Sequence, residues 1–349
     1  MNNTGENKFT PLSEIGEFGL IKHLTENIEL KHSSSVKGVG DDAAVLYYPE
    51  SQILVTTDLL TEGIHFNLMY TPLKHLGYKA AVVNFSDIYA MNAVPRQIVV
   101  SLALSKKFSL EWVEELYSGI LLACEKYNVD LVGGDTNSSL TGMTISITAI
   151  GEAKKEDIVY RNGAKENDLI CVTGNLGAAY MGLQLLEREL RIYESSGGAQ
   201  PSFNGYDYVL ERQLKPEARK DIIQILKEIE VKPTAMMDIS DGLSSEILTL
   251  CNQSDKGCLI FQNKIPVDTD TIKVADEFNI EPSTCALNGG EDYELLFTVN
   301  IHDYDKIASC SKISIIGHIL EDVGIRRLVL NDESELELKA MGWNAMKMD

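Results

Sequence analysis

Five times in this sequence an apolar run breaks off into a short segment that joins aspartate to glycine or small polar residues. The segments are Gly38-Val39-Gly40-Asp41-Asp42-Ala43, Thr56-Thr57-Asp58, Asn84-Phe85-Ser86-Asp87, Gly133-Gly134-Asp135 and Asp238-Ile239-Ser240-Asp241-Gly242. Such breaks mark where elements stop, and the spacing of apolar residues between them says what the elements are. Helical spacing predicts helices over 14–30, 73–91, 109–127, 176–193, 216–229 and 240–252. The third carries Val113, Leu116, Ile120 and Cys124 on one stripe. Shorter β-rich runs predict strands at 44–48, 53–57, 97–104, 130–132, 143–151, 169–173, 258–261, 294–299 and 313–319. The alternation is α/β, but consecutive strands near the start call for a mixed (α+β) sheet over a purely doubly wound one.

A chain of 349 residues suits two domains, each able to bury its own core. The composition turns polar at 154–157 and a fresh strand–turn–helix follows, so the expected division is 1–152 and 153–349. Residues 195–205, rich in glycine and serine, read as an extended loop. Acids outnumber bases 52 to 31, a formal charge of −21, which argues against nucleic acid and against anionic membranes as partners. No apolar run approaches the ~18 residues of a spanning helix, and the first ten residues have neither the basic nor the apolar region of a secretory leader. The six cysteines are scattered, with no CxxC pair, and the histidines form neither HxxxH nor HExxH. Reduced thiols in a cytoplasmic protein are therefore expected, without zinc or a disulfide framework.

Clustered hard oxygen ligands are what Mg²⁺ takes, shared between a few carboxylates and substrate phosphates. An acidic protein that handles an acidic nucleotide needs such ions to cancel repulsion. Taken singly, each aspartate reads more simply as a turn or N-cap residue. Five such segments together favour a metal–phosphate site. The first also fits G-x-G-x-x-A, but no strand precedes it, and Asp41 and Asp42 would face the pyrophosphate of a dinucleotide. No G-x-x-x-x-G-K-[ST] occurs, so any ATP is held through metal, backbone amides and a lone arginine, not a P-loop.

In their order, Gly16-Glu17-Phe18, Gly38 to Ala44, Thr56-Thr57-Asp58 with Glu62-Gly63-Ile64-His65-Phe66, and Asn84 to Ile88 resemble the thiamine-monophosphate kinases. Gly133-Gly134-Asp135-Thr136, Arg161-Asn162-Gly163-Ala164, Asp238 to Leu243 and Gly289-Gly290-Glu291-Asp292-Tyr293-Glu294 extend the resemblance, which runs from about Gly16 to Trp343. It implies the two-domain fold shared with aminoimidazole ribonucleotide synthetase, with the N-terminal mixed sheet forming a homodimer interface. Related selenophosphate synthetases use a cysteine or selenocysteine in the N-terminal glycine region, whereas the first cysteine here is Cys124. Hydrogenase-maturation relatives end in a functional cysteine, and none stands among the last residues here.

By this resemblance Asp42, Thr56, Thr57, Asp58, Asp87, Asp135, Asp238 and Asp241 match Mg²⁺ positions, several ions being implied. Gly134 and Asp135 match an ATP-contacting turn, Arg161 an arginine near the phosphates, Ser240 a nucleotide contact, and Tyr117 a residue facing the nucleotide. His65, Glu291 and Trp343 match substrate-side positions, where Trp343 stacks on the thiazolium cation. Each has a plainer reading. His65 is then an ordinary hydrogen-bonded histidine, Arg161 a solvated loop cation, Trp343 a core residue, and Tyr117 part of a helix stripe. The sequence departs from the family at Asn92, where glycine is common, and at Asn344-Ala345-Met346, where Asp-His-Phe is common.

The implied reaction is direct in-line transfer of the ATP γ-phosphoryl group to the phosphate of thiamine monophosphate, giving thiamine diphosphate and ADP. The acceptor oxygen is already anionic near pH 7, so no catalytic general base is expected. Two alternatives stand beside it: a relative that uses ATP to activate an amide or a selenide, and a non-catalytic nucleotide- or cation-binding protein on the same scaffold.

Overall fold

The computed structural model describes residues 9–39, 43–198 and 200–341. The chain divides into two compact units, Met1–Phe85 with Val94–Glu152, and Ser86–Ala93 with Ala153–Asp349. The class is mixed α/β.

The first unit runs α1 (Leu12–Thr25), β1 (Ser35–Lys37), β2 (Val45–Leu46), β3 (Gln52–Thr61), α2 (Leu73–Ala90), β4 (Val94–Leu104), α3 (Leu110–Tyr127), β5 (Asp130–Ser138) and β6 (Met143–Ala153). The last five residues of α2 belong to the second unit, as does Ala153. Its main sheet has the order β3-β6-β4-β5, with β4 parallel to β5 and antiparallel to β6. Along β6 the side chains of Met143, Ile145, Ile147 and Ala149 are buried, and the threonines and serine between them are not. That period of two gives the sheet one core face. Helices α2 and α3 cross backbone to backbone. A Cβ on Gly77 would lie 1.9 Å from the Leu116 carbonyl oxygen, and one on Gly119 1.9 Å from that of Lys74.

The second unit continues with β7 (Leu169–Thr173), α4 (Ala178–Ser195), α5 (Asp207–Leu214), α6 (Lys220–Glu228), β8 (Ala235–Asp238), α7 (Leu243–Ser254) and β9 (Gly257–Phe261). It ends with α8 (Thr269–Glu277), α9 (Pro282–Asn288), β10 (Leu295–Val299), α10 (Tyr304–Ala308), β11 (Ile313–Leu320), β12 (Arg326–Val329) and β13 (Glu335–Glu337). The sheet order is β13-β12-β9-β11-β7-β10-β8, antiparallel except where β12 meets β9. Both faces of β7 and β10 are buried, which is why they read as unbroken apolar runs. Ile170, Val172 and Leu296 pack on one side with α7, and Cys171, Leu295 and Phe297 on the other with α6.

Several expected elements change length. The helix expected at 14–30 ends at Thr25 and breaks its helical geometry at Gly16 (φ 71°). The strand at 44–48 shrinks to Val45–Leu46, and the helix at 216–229 to Lys220–Glu228. The strand expected at 130–132 runs on to Ser138 and takes in Gly133-Gly134-Asp135, so these residues form strand, not a turn. Gly134 is what allows this, because a Cβ there would lie 2.0 Å from the Val100 carbonyl oxygen on β4. Asn92 holds a left-handed backbone (φ 56°) and its amide donates to the Asp157 carbonyl at 2.8 Å. A position usually given to glycine is thus filled by the side chain that best tolerates that conformation.

Candidate active site

In the first unit five of the predicted residues fall on strands. Thr56, Thr57 and Asp58 lie on β3, and Gly134 and Asp135 on β5, the two edges of the sheet. Strand alternation splits the threonine–aspartate trio. The Thr57 hydroxyl turns to β6, donating to Ile147 O at 3.2 Å and accepting from Thr148 Oγ1 at 3.0 Å. Thr56 and Asp58 share the other face, where Asp58 N–H donates to the buried Asn84 Oδ1 at 3.1 Å. His65 sits in a tight loop closed by hydrogen bonds from His65 N to Thr61 O and from Gly63 N to Phe66 O. Thr61 N–H donates to its Nδ1 at 3.0 Å, so the neutral ring carries its proton on Nε2. Glu62 anchors that loop by accepting from Met143 N at 2.8 Å and from Lys107 Nζ at 2.6 Å. Tyr117 is buried in α3, and that burial pushes its phenol up to about 12.

In the second unit the motifs converge at one end of the seven-stranded sheet. Strand β10 runs antiparallel to both β7 and β8, so the start of β10 stands beside the ends of the other two, with Leu295 opposite Asp238. Ser86 Oγ donates to Asp238 Oδ2 at 2.6 Å, which sets Asp87 one residue from that contact. Ser240 O accepts from Glu291 N–H at 2.7 Å, and Ile239 O accepts from Tyr293 N–H at 2.9 Å. The 238–242 and 289–294 segments are thereby joined. Asp241 stands before α7, and its backbone N–H donates to Glu246 Oε1 at 2.9 Å. Burial, with Asp241 and Asp238 close by, pushes the Glu246 carboxyl up to about 8, and desolvation raises Asp241 as well.

A second set of acids lies at the same sheet end. Asp292 and Glu294 are almost wholly buried. Asp292 Oδ2 accepts from Gly177 N–H at 2.7 Å, and Glu294 Oε2 accepts from Thr173 Oγ1. Arg212 Nη2 stands 3.0 Å from Glu294 Oε1, and Arg219 Nε 3.4 Å from Glu294 Oε2. Burial raises the Asp292 carboxyl to about 7 even against the pull of Arg212. Burial opposes the Arg212 charge too, but Glu294 and Asp292 hold it above its usual range. Sequence reasoning missed Arg212, Arg219, Ser86 and Glu246. Ser86 was within a flagged segment, and Glu246 follows Asp241 by five positions, while nothing local marks the arginines.

Arg161 lies in an exposed turn, and its guanidinium makes no ion pair among the described residues. Asp42 and Trp343 lie outside the described residues.

Residues 40–153 match the family described as AIR synthase related protein, N-terminal domain. The thiamine-monophosphate kinase of Bacillus subtilis is 32% identical over 337 residues, 95% of this chain and 99% of the relative. That of Aquifex aeolicus is 35% identical over 90% of this chain and 94% of its own. The chain belongs to the thiamine-monophosphate kinase family. A solved kinase of this group, AaThiL complexed with AMPPCP and TMP, superposes with a TM-score of 0.74 at 32% identity, covering 96% of this chain and 98% of that one. A hydrogenase maturation protein, HypE in complex with ATP, has a TM-score of 0.71 at 16% identity, covering 95% and 93% of the two chains, and shares the fold.

The donor set present suits the ion that a kinase of this family implies. Among the described residues no three His, Cys, Asp or Glu side chains are grouped to form a metal cage. Mg²⁺ does not ask for one, since it is commonly held by one or two carboxylates together with phosphate oxygens and water. Burial, with smaller contributions from Asp241 and Asp238, raises the Glu246 carboxyl to about 8, and a divalent cation beside these acids would favour their charged forms.

Proposed function

We propose that this protein catalyses ATP-dependent phosphorylation of thiamine monophosphate to thiamine diphosphate, as a phosphotransferase with a phosphate group as acceptor. One observation carries the reading: Glu291 N–H on Ser240 O, 2.7 Å, ties the acceptor-side motif to the nucleotide-side motif. The family match supports it along the whole chain, as does the related kinase complexed with AMPPCP, whose methylene-bridged triphosphate imitates ATP, and TMP.

In this reading Arg161 grips the ATP phosphates in a bidentate fork, with Ser240 and the exposed Gly134 strand beside the nucleotide. Tyr117, buried in α3, is the further residue proposed to face the nucleotide. His65 offers its Nε2 proton to the acceptor phosphate, Glu291 faces the thiamine cation, and Trp343 stacks on the thiazolium. Asp42, Thr56, Thr57, Asp58, Asp87, Asp135, Asp238 and Asp241 are the positions proposed to hold Mg²⁺, Thr57 through its backbone because its hydroxyl is engaged with β6. Mg²⁺ held there would supply the positive charge that offsets the repulsion between two phosphate anions. The acceptor oxygen bonds to the γ-phosphorus as the bond to the ADP oxygen breaks, and no side chain needs to remove a proton. ADP release that depends on thiamine monophosphate, and that thiamine itself does not elicit, tests the reading.

The first unit is assigned metal and nucleotide binding together with homodimerisation, and the reaction is assigned to the cytoplasm. Among the described residues no helix is long and apolar enough to cross a membrane. On β3, an edge strand, Ile53, Val55 and Leu59 are 42%, 65% and 57% exposed, while Leu54 and Leu60 face the core. An apolar row on an edge strand favours pairing with a second copy. Sedimentation at micromolar concentration should find a dimer that Val55→Asp dissociates; a wild-type monomer contradicts the assignment.

A further inference from the structure

The turn that carries Glu291 is held in an unusual backbone. Glu291 and Tyr293 both have left-handed φ values, 66° and 51°, which non-glycine residues seldom adopt. Such geometry persists only where the surroundings dictate it. On one side the end of β8 does so, through Ser240 O and Ile239 O. On the other side stands α5, a helix that none of the motifs includes. Gln213 Nε2 donates to Glu291 Oε2 at 2.9 Å, and Gln213 is itself 6% exposed. Its neighbour Arg212 donates to the Asp292 carbonyl at 2.9 Å and to the Asn175 carbonyl at 3.4 Å, while pairing with Glu294. Three contacts, on residues 291, 292 and 294, thus come from two adjacent positions of one helix.

We propose that Arg212 and Gln213 are positioning residues for the acceptor substrate: Arg212 clamps the backbone of the 289–294 turn, and Gln213 fixes the direction of the Glu291 carboxylate. The inference rests on Glu291 facing thiamine monophosphate. Its physical content is that a free carboxylate samples several rotamers, whereas one held by a buried amide presents a single oxygen to the substrate cation. Both residues bear on the 289–294 turn, so their effect is expected on the acceptor.

The test is steady-state kinetics of the full chain, varying thiamine monophosphate and ATP separately, with thermal melts of each variant. Gln213→Met, close in volume and without the amide, should raise KM for thiamine monophosphate about tenfold, the scale of one charge-assisted hydrogen bond. KM for ATP, kcat and the melting temperature should stay near wild type. Arg212→Lys keeps the charge without the planar fork and should give a smaller rise in the same constant. Arg212→Met leaves two buried carboxylates without that guanidinium, so a failure to fold would match its clamping role but leave Gln213→Met as the deciding variant. An unchanged thiamine monophosphate KM in Gln213→Met, or equal changes in both KM values, overturns the proposal. Glu291→Gln separates the two levels. If it raises the acceptor KM while Gln213→Met does not, the positioning role alone fails. If Glu291→Gln changes nothing, Glu291 leaves the acceptor side and the positioning role falls with it.

Discussion

Two sets of carboxylates share one end of the seven-stranded sheet, and they are treated oppositely. Asp292 and Glu294 are buried against guanidinium groups of Arg212 and Arg219. Asp238 meets a serine hydroxyl and Glu246 a backbone amide, and burial, with Asp241 and Asp238 adding to it, raises Glu246. In the first set the protein supplies its own cations, and the acids lock a turn in place. The second set includes two of the positions proposed for Mg²⁺, Asp238 and Asp241. The difference separates acids that hold a turn from acids proposed to serve the reaction, although Asp292, Glu294, Asp238 and Asp241 lie in motifs of similar composition.

The comparison breaks most visibly in turnover. Asp87→Asn and Asp241→Asn should each lower thiamine-monophosphate-dependent ADP release by roughly a hundredfold or more at limiting Mg²⁺, with melting temperatures unchanged or raised. Near-wild-type turnover in both would remove the metal role proposed for Asp87 and Asp241. The first set should answer in stability instead. Arg212→Met strands a buried carboxylate pair and is expected to cost about 3–5 kcal/mol in urea unfolding at pH 8. An unfolding free energy equal to wild type would dismiss the clamp.

A finer test uses pH. Burial holds the Asp292 carboxyl at about 7 in the folded chain against an ordinary 3.8. The folded state therefore binds the extra proton between those values, and stability falls as pH rises through them. Wild type should gain more melting temperature than Asp292→Asn when the pH is lowered from 8 to 5.5. Equal gains would mean that Asp292 is not held in this way.

Much of this was legible in the sequence because the acids and glycines that carry it are local patterns. The resemblance rested on such segments, and the mixed sheets followed from runs such as Leu169–Thr173 and Gln97–Leu104. The arginines were not legible: Arg212 meets Asp292 across 80 positions, and a helix of eight residues following a glycine- and serine-rich stretch gives periodicity too little length. Nor was the strand character of Gly133-Gly134-Asp135. Two glycines before an aspartate spell a turn by local rules, and only the approach of β5 to the Val100 carbonyl makes them strand. The divided facing of Thr56, Thr57 and Asp58 follows from strand period once β3 is known to extend to Thr61.

Phosphoryl transfer itself is tested most directly by following the label from γ-³²P-ATP in the purified full-length chain with Mg²⁺ and thiamine monophosphate. The label is predicted to appear in the terminal phosphate of thiamine diphosphate, with one ADP formed per product and none without the acceptor. Label released as inorganic phosphate at the same rate with and without thiamine monophosphate, or no turnover of ATP at all, would contradict the account.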